Sequence, residues 1–307
     1  EFGYTINTTE LTSHTELDNL RSVFVPKTKT LLLARHIDDA QKTFIYAKEI
    51  AYNYLEISER LYTFSWIKFE NFDQVLNNFY ASYFAGALII PRASLVSDLK
   101  NLFSKKTFKS KDFERIINNY NASPESIYQR LTNILTKDFN LKSLFFLRFS
   151  HQKDSNHFKL NKELHLSKQQ SPHANETNQH YCRRWVSLKV LEKISKSNKP
   201  HEFDIQVSNY PNEGKSYLVF SSATADPFVA NSYRSVNIGI QINSQLKRKI
   251  AFTESDSIPK TQVGVTCERC VISDCDVRQA QPTSLISAQK DAKIADVVNK
   301  IQEKYSK

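Results

Sequence analysis

The stretch "LKSLFFLRFS", residues 141–150, divides the chain. Upstream of it, apolar residues recur at helical spacing. "DDAQKTFIYAKEIAYNYLEI" carries Phe44, Ala47, Ile50, Ala51, Tyr54 and Leu55 in that rhythm, with Asp38 or Asp39 placed as N-cap. "FDQVLNNFYASYFAGALIIP" predicts a second helix, closed by Pro91, and "DFERIINNY" a third. "SPESIYQRLTNIL" predicts a fourth, with Ser123 as N-cap and Pro124 at the first helical position, where a missing N–H leaves no bond unmade. A short strand at Leu31–Leu33 precedes them, and residues 1–30 are polar and mixed.

From residue 141 the pattern changes. "LKSLFFLRFS" is β-rich and apolar, and "EFDIQVSNYP", "KSYLVFSSAT" and "YRSVNIGIQI" alternate apolar and polar residues in strand fashion. The polar run from His151 to Tyr181 holds a weaker strand around Phe158–Leu166, and "RRWVSLKVLEKI" predicts a helix just after Cys182. "SLISAQKDAKIADVVNKIQEKYSK" is an amphipathic helix. The expectation is an α+β protein: a helical domain over 1–138, an α+β sheet domain over 139–282, and a C-terminal helix over 283–307.

Bulk properties narrow the classes. The 307 residues suit two domains of ordinary size, and 40% apolar with 24% charged residues is a globular composition. The longest apolar run, "YFAGALII" (Tyr83–Ile90), is far short of the ~20 residues that span a membrane. The opening "EFGYTINTTE" has neither the basic nor the apolar region of a secretory signal. A cytoplasmic protein with no membrane partner is expected, and the opening Glu-Phe reads as a cloning junction, so the chain is expected to be part of something longer. The formal charge of +10 fits an anionic partner, nucleic acid or a phosphate-bearing ligand, or simply a basic surface.

The four cysteines form the pattern Cys182 … Cys267-x2-Cys270-x4-Cys275. Three thiols within nine residues, in a chain with one other, argue for shared ligation rather than scattered burial. Disulfides are the competing reading, disfavoured where no secretory signal is present. Four thiolates suit tetrahedral zinc or an iron–sulfur cluster, and spacing alone leaves both open.

"TFIYAKEIAYNYL" has the rhythm of a zinc-peptidase helix without its ligands. Such a helix needs His-Glu-x-x-His, two imidazoles one turn apart on the metal with a Glu as base. Here Lys48 and Tyr52 stand at the two His positions, and only Glu49 is in place. A protonated Lys cannot ligate zinc. The expectation is a chain that is not an enzyme.

"KTLLLARHIDDAQKTFIYAKEIAYNYL" followed by "NNFYASYFAGALIIPRASL" resembles the ImmA/IrrE-type, zincin-like fold, with Tyr80 where that family carries its third ligand, a Glu. "SPESIYQRLTNIL", "LFFLRF", "HYCRRW" and "VGVTCERCVISDCDVRQAQP" resemble the C-terminal region of XRE-family transcriptional regulators that respond to short-chain acyl-CoA, including mycobacterial regulators of propionate metabolism. The likeness covers roughly residues 25–282, and all four cysteines fall on cysteine positions of that group. It departs in two places: the helix-turn-helix that opens such regulators is absent from this chain, and the segment before Cys182, glycine-rich in relatives, has no glycine.

The resemblance implies a degenerate peptidase-like domain followed by a GAF-like sensing domain. Cys182, Cys267, Cys270 and Cys275 would hold a [4Fe–4S] cluster, preferred to Zn2+ on the resemblance. Acyl-CoA or CoA would be the effector, DNA the partner through the missing helix-turn-helix, and the assembly a homo-oligomer. The alternative is a zinc-stabilised peptidase-like or redox enzyme. An acyl-CoA site needs cations for phosphates and an apolar slot for the pantetheine arm. Arg148, Arg92, Tyr83, Arg183, Arg184 and Tyr233 are the candidates, being basic or aromatic residues beside the shared motifs. Trp185 is expected to pack against the cysteines.

Overall fold

The computed structural model describes every residue except 1, 18–19, 61–70, 167–178, 198, 228 and 307. Part of the polar run before Cys182 therefore lies outside the described residues. The described residues form eight α-helices and two mixed sheets, an α+β fold. Two compact units divide the chain: Glu1–Lys105, Lys109–Asn140 and Asp226–Asn231 form the first, and Lys106–Phe108, Leu141–Ala225 and Ser232–Lys307 the second.

The first unit opens on a three-stranded sheet. β1 (Thr5–Asn7) pairs parallel with β3 (Thr30–Leu33), and β2 (Ser22–Val25) pairs antiparallel on its other side. Five helices follow: α1 (Asp39–Tyr54), α2 (Phe72–Ile89), α3 (Arg92–Phe103), α4 (Ser110–Asn118) and α5 (Pro124–Lys137). Asp38 caps α1 in a reciprocal box with Gln41: its Oδ1 accepts the Gln41 N–H at 2.7 Å, and the Gln41 side chain accepts the Asp38 N–H at 3.2 Å. Ser123 caps α5 by accepting the Ser126 N–H at 3.2 Å. Pro91 ends α2 and is also the N-cap of α3, so one proline serves two helices. Leu31, Leu33, Ala34, Ile37 and Ile45 make one small core, and Ala51, Tyr52 and Ala81 a second where α1 meets α2.

The second unit is built on a six-stranded sheet in the order β5-β4-β8-β7-β6-β9. The strands are β4 (Leu144–Gln152), β5 (Phe158–His165), β6 (His201–Tyr210), β7 (Lys215–Ala225), β8 (Ser232–Gln241) and β9 (Lys260–Gln262). All neighbours pair antiparallel except β6 with β9. On one face lies α6 (Val186–Ser195), whose Leu188, Val190, Leu191 and Ile194 pack with Phe145, Leu147, Phe149 and Val219. Gly239 makes this packing possible: a Cβ there would stand 2.2 Å from the Phe145 ring carbon, so the ring covers the bare backbone. Phe108 packs with Phe203, Phe220 and Phe252, ring centroids 5.1–6.2 Å away.

A short helix α7 (Ser244–Lys249) leads toward β9, and α8 (Thr283–Tyr305) closes the unit with no residue buried. Among the described residues no single helix is long and apolar enough to cross a membrane, and the pair α2–α3 passes that test only together, across a 63° bend.

Candidate functional site

Backbone pairing solves the problem of the distant cysteine. The segment 180–182 lies against 265–267 through an isolated antiparallel bridge, Tyr181 to Thr266. The Cys182 N–H donates to the Val265 carbonyl at 3.1 Å, and the Cys267 N–H to the His180 carbonyl at 2.8 Å. Glu268 locks this register. Its carboxylate accepts the His180 backbone N–H at 3.1 Å and contacts His180 Nδ1 at 2.8 Å. Cys182 and Cys267 are thus fixed by main chain, although 85 positions separate them.

The loop that brings Cys275 back is tied by two guanidiniums. Arg278 donates to the carbonyls of Cys267, at 3.3 Å, and Ile272. Arg184 donates to the Asp274 carbonyl and to Asp276 Oδ1, both at 3.1 Å. The result is one small cavity lined by Cys182, Cys267, Cys270 and Cys275 together with Arg183, Thr266, Val277 and Arg278. All four cysteines are free thiols; Cys275 is half-buried and the other three are buried.

Two sulfurs accept main-chain N–H bonds: Cys182 Sγ from Gly264 and Cys267 Sγ from Gln279, each at 3.4 Å. Trp185 braces the first of these by donating Nε1–H to the Gly264 carbonyl at 2.8 Å, and it shares a core with Cys182. Burial pushes the Cys182 thiol up to about 11, against the pull of the Arg184 and Gly264 N–H groups. A thiolate there needs a cation, and a metal supplies one by displacing the proton.

Among the described residues, however, no three His, Cys, Asp or Glu side chains close around a single metal ion. A zinc ion at 2.3 Å from each sulfur in a tetrahedron requires sulfurs about 3.8 Å apart. The four thiols line one cavity, with main-chain N–H donors on two of the sulfurs and Arg183 and Arg278 beside them.

The remaining candidates lie in different places. Arg148 is half-buried on β4, opposite Lys162 and Val236, where the register to β5 shifts. Arg183 lies over the Phe158 ring, 4.2 Å from its centre, and faces Glu192 at 3.6 Å. Tyr233, on β8, packs at the margin of the α6 core. In the first unit Arg92 makes a forked pair with Asp138, at 2.6–3.1 Å, and Tyr83 is 41% exposed with Arg130 over its ring. Arg148, Arg183, Arg184 and Tyr233 therefore share the second unit, and Arg92 and Tyr83 belong to the first.

On α1, Lys48 is buried and donates Nζ–H to Asn78 Oδ1 on α2 at 2.9 Å, with Nζ 5.6 Å from the Tyr52 ring centre. Tyr80 is 48% exposed. Glu49 is engaged by Arg60 and by the Tyr4 hydroxyl at 2.8 Å, and Tyr4 in turn accepts from Asn53. Burial holds the Glu49 carboxyl above its ordinary range, while Tyr4, Arg60 and Lys48 pull it down.

Sequence reasoning passed over Gly264, Asn78, Arg60 and Arg278. Gly264 and Arg278 lie within "VGVTCERCVISDCDVRQAQP" and Asn78 within "NNFYASYFAGALIIPRASL", while Arg60 lies in neither. All four act through neighbours that spacing does not reveal.

The fold is similar to a solved structure of a Mycobacterium tuberculosis transcriptional regulator, with a TM-score of 0.57 and 17% identity over 91% of this chain and 79% of that one. At that identity the likeness shows the fold. No protein-family model and no curated protein matches the chain.

Proposed function

We propose that the chain is the ligand-sensing regulatory region of a transcriptional regulator and not an enzyme. Its cysteine site would carry a [4Fe–4S] cluster, and short-chain acyl-CoA or CoA would be its effector. The observation that carries this reading is the convergence of Cys182, Cys267, Cys270 and Cys275 on one cavity. It occurs in a fold similar to that of a mycobacterial transcriptional regulator.

Each cysteine would ligate one corner of the cluster; Gly264 and Gln279 would hydrogen-bond its thiolates, and Arg183, Arg184 and Arg278 would balance its charge. Bound there, the cluster supplies redox- or oxygen-sensitive chemistry to a regulatory domain. DNA is the partner class this role implies, in a cytoplasmic, homo-oligomeric assembly.

The first unit fits the part of a peptidase-like domain that does no hydrolysis. The Lys48 ammonium would stand in for a metal ion near the α1–α2 contact, and Glu49 is held by a cation and a phenol rather than poised as a base.

Calorimetric titration of anaerobically prepared, metal-loaded protein with propionyl-CoA and longer acyl-CoAs tests the sensor role. A charge-assisted bond from Arg148 to phosphate or thioester oxygen is worth roughly 1.5–3 kcal/mol. Arg148→Ala should therefore weaken binding about ten- to a hundredfold with metal content unchanged. No binding of any acyl-CoA by the wild type would refute the proposal.

A further inference from the structure

We infer that Gly264 is the positioning residue of the cysteine site, the point where its two chain segments are set against each other. The N–H of Gly264 donates to Cys182 Sγ, the ligand that comes singly from upstream. Its α-carbon faces Cys270 of the downstream trio. A side chain there would place Cβ 2.8 Å from Cys270 Sγ and 3.2 Å from Cys270 Cβ. One residue thus touches a sulfur from each segment.

Backbone freedom is not the reason for a glycine here. Gly3 and Gly214 have left-handed φ values of 70° and 60°, the conformation that favours glycine, and Gly264 does not. What the position requires is the absence of a Cβ. Nor can the backbone retreat. The Val263 N–H donates to the Asn209 carbonyl at 2.8 Å, the Gly264 carbonyl accepts Trp185 Nε1–H, and the Val265 carbonyl accepts the Cys182 N–H. Three consecutive residues are held from outside, so a methyl group added at 264 displaces the sulfur and not the main chain.

Gly264→Ala should push Cys270 Sγ out of line with Cys182 while leaving the α6 core in place. This inference rests on the proposed four-thiolate centre for its consequence and on the metal-free geometry for its test.

Two readouts separate them. In metal-free protein, iodoacetamide alkylation followed site by site by mass spectrometry should be at least about tenfold faster at Cys270 in the variant, with half-buried Cys275 changed far less. Equal Cys270 rates in variant and wild type would overturn the inference. Reconstitution with ferrous iron and sulfide, and in parallel with Zn2+, should load the wild type and leave the variant with under half the metal. Full loading of the variant with an unchanged absorption spectrum would also overturn it. A wild type that takes up neither metal would refute the four-thiolate reading, leaving the alkylation result to decide on Gly264.

Should Gly264→Ala fold poorly, the same substitution in a Cys270→Ala background, where the displaced sulfur is gone, should lower the melting temperature by less than half as much. An equal drop in both backgrounds would show that the crowding is not with Cys270.

Discussion

Replacing Lys48 with Met should stabilise the protein, and the size of the effect follows from where the amine sits. Lys48 is 7% exposed, and burial lowers its pKa from 10.5 to about 8. Glu49 opposes this shift, and Arg21 adds to it. The difference of 2.5 units, at 1.36 kcal/mol each, means that burying the charged amine costs about 3 kcal/mol wherever both folded and unfolded chains are protonated, that is below about pH 8. Between pH 8 and 10.5 the unfolded chain binds the extra proton, so stability rises with pH through that window and levels off above it.

Met keeps the length of the side chain and removes the charge. The lost bond to half-buried Asn78, which can turn to water, offsets about 1 kcal/mol of the gain. A net gain of about 2 kcal/mol at pH 7 should raise the melting temperature by roughly 4–8 °C. Urea denaturation of wild type and Lys48→Met at pH 7 and at pH 10 isolates the residue, since other titrating groups cancel in the difference. The variant should lead at pH 7 and lose most of that lead at pH 10. A variant less stable than wild type at pH 7, or a lead that does not shrink with pH, would refute the reasoning.

Gly239→Ala should destabilise by about 1–3 kcal/mol in urea, because its methyl group drives into the buried Phe145 ring; adding Phe145→Leu should recover part of that loss. Cys182→Ala should leave well under one metal centre per chain by elemental analysis of anaerobically loaded protein; full content in that variant would rule out the upstream cysteine as a ligand.

Much of the fold was legible because local chemistry agreed with it. Ser123-Pro124 marks the start of α5 and Asp38 that of α1, and the β-rich runs fall on β6, β7 and β8, although these strands are buried along most of both faces, with Ser221, Ser222, Ser235 and Asn237 buried as well. The polar opening hid β1 and β2, strands of three and four residues whose pairing to β3 is a tertiary event. α3 escaped notice although Leu95, Leu99, Leu102 and Phe103 carry its period, because Pro91 reads as an ending and here also begins the next helix. At the site, the cysteine spacing could raise the question of shared ligation. It could not reveal the bridge from Tyr181 to Thr266 that brings Cys182 alongside, nor the sulfur that makes position 264 a glycine. The bridge joins residues 85 positions apart, and the Gly264–Cys270 contact, although only six positions apart, depends on how the irregular cysteine turn folds back, so neither has a periodicity that a single sequence shows.

On the proposed reading, a metal centre would act on a frame of main-chain bonds and packed side chains. Cys182 and Trp185 belong to the α6 core, and main-chain bonds hold Cys182 and Cys267. Cys275 is different: it lies beyond Cys270 in residues 271–278, which form no helix or strand, and is steadied there chiefly by Arg184 and Arg278. Gain or loss of the centre should therefore be felt first in residues 271–278. Glu268 would pass the change on. Its carboxylate fastens His180, while its carbonyl accepts the Ser284 N–H at 3.1 Å and the Thr283 hydroxyl at 3.3 Å in the first turn of α8. A residue between two of the cysteines thus anchors a long exposed helix, and a disturbance of the cysteine turn has a direct covalent and hydrogen-bonded route to α8.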